Sequence, residues 1–290
     1  MGMFLSLTGS GLAMGMIYAM LSVGLLLLIR SVGVTNYAQG DLLALGAFTA
    51  FFLMDRLNLN GLPMILLMIV LFACFGTTFM FTCYYPLRKT KWNQAIMVCT
   101  LGAGMVIQEV CLLVCGSMVK PMEPIIPGTL TIGSFVLQWQ YIVVFFVSLL
   151  VMVAVYLLFD KLYAGRAMLA AAQNSYAANL IGIPSILTTL GTYIIVMMIV
   201  GFAGYLVAPI FLVRTTLNSL QSKAFASMVL GGFGSVKGAV IGSLMIGLIE
   251  SYSTYFTTVY KDVIVFGVLL LTLLIRPQGI FGEIQLKEKA

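Results

Sequence analysis

The chain has 290 residues, of which 61% are apolar and only 8% are charged, and its formal net charge is +6. About a quarter of the residues of a soluble domain are charged, so this composition excludes a water-soluble single domain. One membrane crossing takes about 20 mostly apolar residues, and the apolar residues here suffice for at most about nine crossings. Because the apolar stretches are continuous rather than alternating, they predict an all-α polytopic membrane protein and not a β-barrel.

Nine apolar runs follow one another along the chain, at about 9–29, 38–54, 61–83, 93–119, 139–159, 185–209, 223–236, 238–254 and 260–276. The runs 38–54 and 223–236 are too short for a perpendicular crossing, and the second is rich in glycine. A half-helix or re-entrant segment is therefore predicted there. We expect eight or nine transmembrane helices in a single domain over 1–290, with short or broken segments near 31–54 and 223–238.

The distribution of Lys and Arg between the connections predicts the orientation. When alternate connections are assigned to opposite sides, ten of the 15 basic residues fall on one side. The other side holds five: Arg56, Lys120, Arg214, Lys223 and Lys261. Cytoplasmic loops carry the excess of basic residues, so the C-terminus is predicted to be cytoplasmic and the N-terminus external. The net charge then reflects orientation in the bilayer and not nucleic-acid binding.

Several kinds of chemistry are disfavoured by residues that the chain lacks. It has no His, and its five Cys lie mainly in apolar stretches, so no metal, haem or disulfide site is expected. Cys111 and Cys115 share a helix face and are interpreted as small packing residues. The phosphate-binding loop G-x-x-x-x-G-K-[ST] is missing, and GGFGSVKG at 231–238 is interpreted as close-packing backbone. No cofactor is expected on this chain, and any ATP-driven function needs a separate ATPase.

The longest connection on the predicted cytoplasmic side runs from Asp160 to Pro184. Its Ala-rich centre predicts a short surface helix, which Gly182 would end as a left-handed C-cap just before Pro184. The helix is either a plain connection or a docking element, because a surface of small residues lets a helix enter a groove of a partner. Those small residues are Ala170, Ala171, Ala172, Ala177 and Ala178.

Polar residues within the apolar layer predict a translocation path, because each is costly there unless it is paired or hydrated. Glu109 lies well inside the fourth run, Glu250 lies near the outer end of the eighth, and Asp41 opens the second. With their polar neighbours, the predicted path residues are Asn36, Gln39, Asp41, Gln108, Glu109 and Glu250. The alternative is that these groups form hydrogen bonds between helices and stabilise the bundle.

Glycine recurs at four-residue spacing in two places, which predicts close helix packing in lipid. The two series are Gly11 with Gly15, and Gly234 with Gly238 and Gly242.

Five stretches carry a resemblance to a known family. They are YAMLSVGLLLLIRSVGVTNYAQGDLLALGAF (18–48), YYPLRKTKWNQAI (84–96), AGRAMLAAAQNSYAANLIGI (164–183), KAFASMVLGGFGSVKGAVIGSLMIGLIES (223–251) and YKDVIVFGVLLLTLLIRPQGIFG (260–282). Over nearly its whole length the chain resembles the permease subunits of branched-chain amino acid ABC transporters, and within them the first of the two paired permeases.

The resemblance implies a multi-pass permease of the bacterial inner membrane that is not itself an enzyme. Its implied partners are a second permease, two ATPase subunits that bind ATP and Mg, and an external substrate-binding protein. The loop from Gly165 to Ile183 matches the one by which such permeases dock into the ATPase. Its implied docking residues are Gly165, Arg166, Ala171, Ala172, Gln173, Asn174, Ala178, Gly182 and Ile183. The chain departs from relatives at Gln173 and Asn174, where an acidic pair is frequent, and at Gln39, where NFAHG reads NYAQG.

The implied mechanism is alternating access driven by the ATPases through the docking helix, with each ligand shifting the equilibrium by its differential affinity. Helix ends in the broken segments 31–41 and 229–238 would offer dipoles to a zwitterionic amino acid. Two alternatives remain open. One is an ABC permease for urea or short amides, and the other is an ion-coupled secondary transporter or channel in which Glu109 and Asp41 are the functional carboxylates.

Overall fold

The computed structural model describes residues 2–90, 92, 94–132 and 135–281. The first half contains α1 (Gly2–Val32), α2 (Gln39–Leu57), α3 (Leu62–Phe79) with a π-helical extension (Met80–Tyr84), α4 (Ala95–Cys115), and strands β1 (Thr129–Ile132) and β2 (Phe135–Gln138). The second half contains α5 (Trp139–Asp160), α6 (Tyr163–Gln173), α7 (Ser175–Leu180), α8 (Ser185–Phe211), a 3-10 helix (Thr215–Ser219), α9 (Leu220–Gly231), α10 (Val236–Phe256) and α11 (Lys261–Ile275). Apart from one short hairpin, the described chain is helical, as expected.

Six helices are long and apolar enough to cross a membrane: α1, α3 with its extension, α4, α5, α8 and α10. The other three apolar runs form α2, α9 and α11, of which α9 has 12 residues and α11 has 15. Each run therefore becomes a helix, but the expected eight or nine crossings are not confirmed by length and hydropathy.

Helix α1 lies at the centre of the bundle. From Gly11 to Leu28 almost every residue is buried, and α5, α8, α9 and α10 all pack against it. A helix that is apolar on all sides is typical of the core of a large protein or of a membrane span. Helices α4 and α11 show the opposite pattern, because few of their side chains are buried.

Small residues bring α1 and α10 together as an antiparallel pair. A Cβ on Gly11 would lie 3.0 Å from the carbonyl oxygen of Gly247, and one on Gly15 would lie 2.8 Å from the Cα of Leu244. The pairs Ser10–Ser251 (3.0 Å) and Ser22–Ser243 (3.1 Å) join the same helices through hydroxyl groups. Such close approach gives dispersion contacts that longer side chains would prevent.

Helices α9 and α10 also meet through glycine. Gly238 and Gly242 both lie against the backbone of Gly231 in α9. Gly234 does not share this role, because it lies in the turn between the helices with a φ of +95° and has no atom within 4 Å of the position a Cβ would take. At this position the conformation, and not the packing, favours glycine.

Two breaks in the helical path lie inside the bundle. The first, at 33–38, separates α1 from α2. Just after it, the side-chain Nε2 of Gln39 donates to the carbonyl oxygen of Leu21 (2.8 Å). Leu21 lies about 16 Å along the axis from the end of α1, so α2 begins within the bundle and not at its surface. The second break, at 212–219, precedes α9 and includes the 3-10 helix. The sequence predicted a break at 229–238, where the structure has only a short turn.

The strands β1 and β2 form an antiparallel hairpin that the sequence did not predict. Thr129 pairs with Gln138 and Leu130 with Leu137. The backbone N–H of Val136 donates to Ser6 Oγ (3.2 Å), which places the hairpin at the N-terminal end of α1. Strands of four residues are too short to give a clear alternating pattern in the sequence.

We predict that Gly15→Ala destabilises the protein, because the new Cβ would overlap the backbone of α10. Overpacking of this kind costs about 1–3 kcal/mol, which exceeds the gain of at most about 1 kcal/mol in helix propensity. The matched control is Gly267→Ala in α11, where no atom lies within 4 Å of the added Cβ. Thermal unfolding in detergent should give a lower Tm for Gly15→Ala only, and equal Tm values for the two variants would contradict this account.

Candidate functional site

The two breaks meet, and polar side chains connect them. Asn218 Nδ2 donates to Asp41 Oδ1 (3.1 Å) and to Gln108 Oε1 of α4 (3.4 Å). Gln221 Oε1 accepts from the backbone N–H of Gly40 (2.5 Å), and its Nε2 donates to the carbonyl oxygen of Asn36 (3.4 Å). Side chains from α4 and α9 thereby satisfy backbone and side-chain groups that the break at 33–38 exposes, as irregular backbone at membrane depth requires.

Asn36 and Gln39 organise the start of α2. Asn36 Oδ1 accepts from the backbone N–H of Ala38 (3.0 Å), and Gln39 fills the space beside Gly24. Both side chains are fully buried. Within the described chain, Asn36 Nδ2 and Gln39 Oε1 have no hydrogen-bond partner, so each retains hydrogen-bonding capacity in the interior. Buried polar groups without a partner are unusual in folded proteins.

A cavity of about 440 Å³ borders this polar region and is named here the polar cleft. Its polar wall includes Thr35, Tyr37, Asp41, Asn218, Gln221 and Ser222, and its apolar wall includes Leu101, Phe225, Ala226, Phe266 and Leu269. These residues come from the first break and from α2, α4, the 3-10 helix, α9 and α11. The volume lies within the range of small-molecule sites, and apolar walls with a few polar groups are typical of them.

A second polar group, the ion network, lies apart from the cleft. Glu250 Oε1 of α10 lies 2.5 Å from Lys223 Nζ of α9 and 3.2 Å from Lys261 Nζ of α11. Lys223 Nζ also lies 2.9 Å from Asp262 Oδ1, and the hydroxyl of Tyr18 in α1 donates to Glu250 Oε2 (2.5 Å). Glu250 and Lys223 are both buried. Two positive and two negative charges therefore neutralise one another where four helices meet.

The structure brings together four of the six predicted path residues: Asn36, Gln39, Asp41 and Gln108. Glu250 belongs to the ion network instead, and Glu109 lies exposed on α4. Lys223, which was assigned to an outer loop, is buried. Among the described residues, no three metal-ligating side chains lie together.

Sequence reasoning missed Asn218, Gln221 and Tyr18. Asn218 and Gln221 lie in a polar stretch whose sequence looks like that of an external loop. Only the shortness of the run that follows it, 223–236, indicated a broken helix. Tyr18 is one aromatic residue within an apolar run, and no pattern of spacing indicates that it meets a carboxylate 232 residues away.

Helices α6 and α7 form a helix pair near the C-terminal end of α1, in place of the one helix that was expected. Asn174 separates them, and its Oδ1 accepts from the backbone N–H of Ala177 (3.0 Å) as the N-cap of α7. Gly182 has a φ of +85°, and the next backbone N–H, of Ile183, donates to the carbonyl oxygen of Ala178 (2.9 Å). This is the left-handed termination that glycine favours.

The implied docking residues have two different environments. Ala171, Ala178 and Ile183 form a small core within the helix pair together with Ala167, and Gly165 lies against the backbone of α5. Exposed residues are Arg166, Ala172, Gln173, Asn174 and Gly182. Three large apolar side chains also point outward: Tyr176 (74% exposed), Leu180 (71%) and Ile181 (75%). The small residues thus build the helix pair, and larger residues form its outer surface.

Comparisons with known proteins cover almost the whole chain. A family model described as branched-chain amino acid transport system / permease component matches residues 7–273. The high-affinity branched-chain amino acid transport system permease protein BraD of Pseudomonas aeruginosa is 31% identical, over 94% of this chain and 94% of that protein. The corresponding LivH of Escherichia coli is 28% identical, over 97% and 96%. Among solved structures, PsaBC from Streptococcus pneumoniae in complex with Fab has a TM-score of 0.49 and 14% identity, over 93% of this chain and 91% of that one.

We predict that Glu250→Gln strongly destabilises the fold, because it leaves two lysines with less compensation in the interior. Breaking a buried ion pair typically costs about 3–5 kcal/mol. The matched control is Asp160→Asn, which removes an exposed pair with Lys161 (3.7 Å) whose expected value is below about 1 kcal/mol. Thermal unfolding in detergent measures both variants.

A double-mutant cycle with Lys223→Met separates the pairwise term from the single losses. We expect the double variant to lose less stability than the two single variants lose together. Strictly additive losses of stability would contradict a stabilising ion network, and so would equal Tm values for Glu250→Gln and Asp160→Asn.

Proposed function

The chain belongs to the family of branched-chain amino acid transport permeases, and we propose that it is a membrane-spanning subunit of an ATP-driven importer for leucine, isoleucine or valine. In this proposal it lies in the bacterial cytoplasmic membrane beside a second permease. Two ATPase subunits bind ATP and Mg²⁺ and hydrolyse the nucleotide, and an external binding protein delivers the amino acid. The chain itself catalyses no reaction.

The α6–α7 helix pair is the observation that carries this proposal. It follows α5 and leads into α8, and it exposes Tyr176, Leu180 and Ile181 within a stretch of six residues. Exposed apolar side chains on a short amphipathic unit favour insertion into a groove of another protein. We assign this surface to the ATPase, because the chain carries no phosphate-binding loop of its own.

The polar cleft is the proposed part of the translocation path. It lies between α4 and α11, few of whose side chains are buried. Glu109 is also exposed on α4, and an ionisable residue within a membrane helix normally faces protein or a water-filled cavity. We therefore propose that a second permease covers this face and closes the cleft against lipid.

The proposed topology has nine crossings, with α2 and α9 as the broken ones. The hairpin and the helix pair lie at opposite ends of α1, and the basic residues are more numerous in the connections at the helix-pair end. An external N-terminus and a cytoplasmic C-terminus follow from this distribution. A single Cys introduced at Ser175 in a Cys-free background should then react with a membrane-impermeant reagent only from the cytoplasmic side, and external labelling would overturn the topology.

Reconstitution of the complete transporter tests the function. Proteoliposomes that contain both permeases and both ATPases should import leucine only with ATP and the binding protein. Substrate movement by the permease alone under an ion gradient would establish the secondary-transporter alternative instead. Binding of urea but not leucine to the external protein would establish the amide alternative.

We predict that Gly182→Val weakens ATPase association, because a β-branched residue is strained at a φ of +85° and would displace the end of α7. Gly182 has open space around it, so the effect arises from backbone conformation and not from a clash. The matched control is Gly61→Val at the start of α3, where φ is +67° and space is equally open. Both variants place a β-branched residue at a positive φ, which glycine tolerates best, and only Gly182→Val should lose the ATPases on co-purification. Equal retention by both variants would contradict the assigned docking surface.

A further inference from the structure

We infer that the polar cleft binds the amino acid during its passage, with the Asp41 carboxylate contacting the α-ammonium group and the apolar wall holding the aliphatic side chain. This inference rests on the proposed function and extends it, because it names the atoms that would distinguish an amino acid from an uncharged amide.

Asp41 faces the cleft without a positive partner in the described part of the chain. Its carboxyl group accepts a hydrogen bond from Asn218, but none of the described Lys and Arg residues lies within 4.0 Å of it. Glu250, the buried carboxylate of the ion network, is held by two lysines. An intramembrane carboxylate normally pairs with a cation, so the part of the polar cleft beside Asp41 has the charge complementarity that an ammonium ion requires.

The surroundings of Asp41 favour a reversible ion pair. Its position in the first turn of α2 suits an acidic residue, and Asn218 holds the carboxyl group in one orientation. Asn218 is in turn oriented by Gln108 (3.4 Å). A carboxylate fixed in this way loses little freedom when a ligand binds, which is the advantage of a preorganised site.

The opposite wall has the chemistry of a branched aliphatic side chain. Phe225, Phe266, Leu269 and Leu101 line it, while Tyr37 and Ser222 bring hydroxyl groups to the polar side. An ammonium contact, hydroxyl donors for a carboxylate and an apolar surface are the three features that a leucine-like zwitterion needs. Urea has no cation and no aliphatic side chain, so it would use neither Asp41 nor the apolar wall.

Binding of tritiated leucine to the assembled transporter in nanodiscs, without the binding protein, tests the site. Isopentylamine, which keeps the ammonium group and lacks the carboxylate, should compete in the wild type more strongly than 4-methylpentanoate, which keeps only the carboxylate. Asp41→Asn preserves the shape of the side chain and should lower leucine affinity about ten- to hundredfold, the value of one buried charge-assisted hydrogen bond. It should also abolish the preference for the amine.

Two further variants complete the test. Asp55→Asn is the matched control on the same helix, since Asp55 is exposed and lies 3.7 Å from Arg56, and it should leave leucine binding unchanged. Leu269→Trp fills the apolar wall without touching the polar cluster and should also weaken leucine binding. If Asp41→Asn fails to fold, the wild-type competition decides the question, because equal competition by isopentylamine and 4-methylpentanoate would overturn the ammonium contact.

The outcomes separate the inference from the proposed function. Wild-type leucine import with unchanged binding and import by Asp41→Asn would overturn the inference and leave the proposed function intact. Dissociation of the two permeases in Asp41→Asn would mean that a basic residue of the second permease occupies the site, which also overturns the inference. Failure of the wild-type transporter to import leucine with ATP would overturn the proposed function itself.

Discussion

Backbone and charged groups within the apolar layer are costly unless they find a partner inside the protein, and the helix contacts of this structure follow from that constraint. The backbone can leave the helical path at 33–38 only because Gln221 and Gln39 make hydrogen bonds across the break. The carboxylate of Glu250 can be buried only because Lys223, Lys261 and Tyr18 converge on it. Removal of any such partner leaves a group that neither lipid nor a neighbouring apolar side chain can satisfy.

Packing and electrostatics are therefore two aspects of one arrangement. Gly231, Gly238 and Gly242 let α9 approach α10 to backbone contact, and this approach carries Lys223 to Glu250. Gly11 and Gly15 do the same for α1 and α10, which brings Tyr18 to the other carboxylate oxygen. Larger residues at these glycines would separate the helices and also the charges. Asp41 is different, because Gly104 and Asn218 approach it closely while no described cation does.

The sequence predicted the features that depend on neighbouring residues. Each apolar run became a helix, and the local spacing around Gly182 indicated the left-handed turn that the structure has. It did not predict features that depend on distant residues. In the sequence Lys223 resembles a loop residue, and only the fold shows its ion pair with Glu250 of α10. Asn218 likewise resembles an external polar residue, and only the fold shows its hydrogen bond to Asp41 of α2. Glu109 was placed well inside an apolar run and Glu250 near the outer end of one, yet Glu109 is exposed and Glu250 is buried. The resemblance to a family identified the class of protein but not these contacts.

The position of α8 has a mechanical consequence. This helix has 27 residues and a length of about 40 Å, and only four residues separate it from the end of α7. Its far end is separated from the 3-10 helix that contains Asn218 by only three residues. Along its length it packs against α1, α2 and α3. A displacement of the helix pair along the axis of α8 would therefore be transmitted to the 3-10 helix, and with it to the hydrogen bond between Asn218 and Asp41.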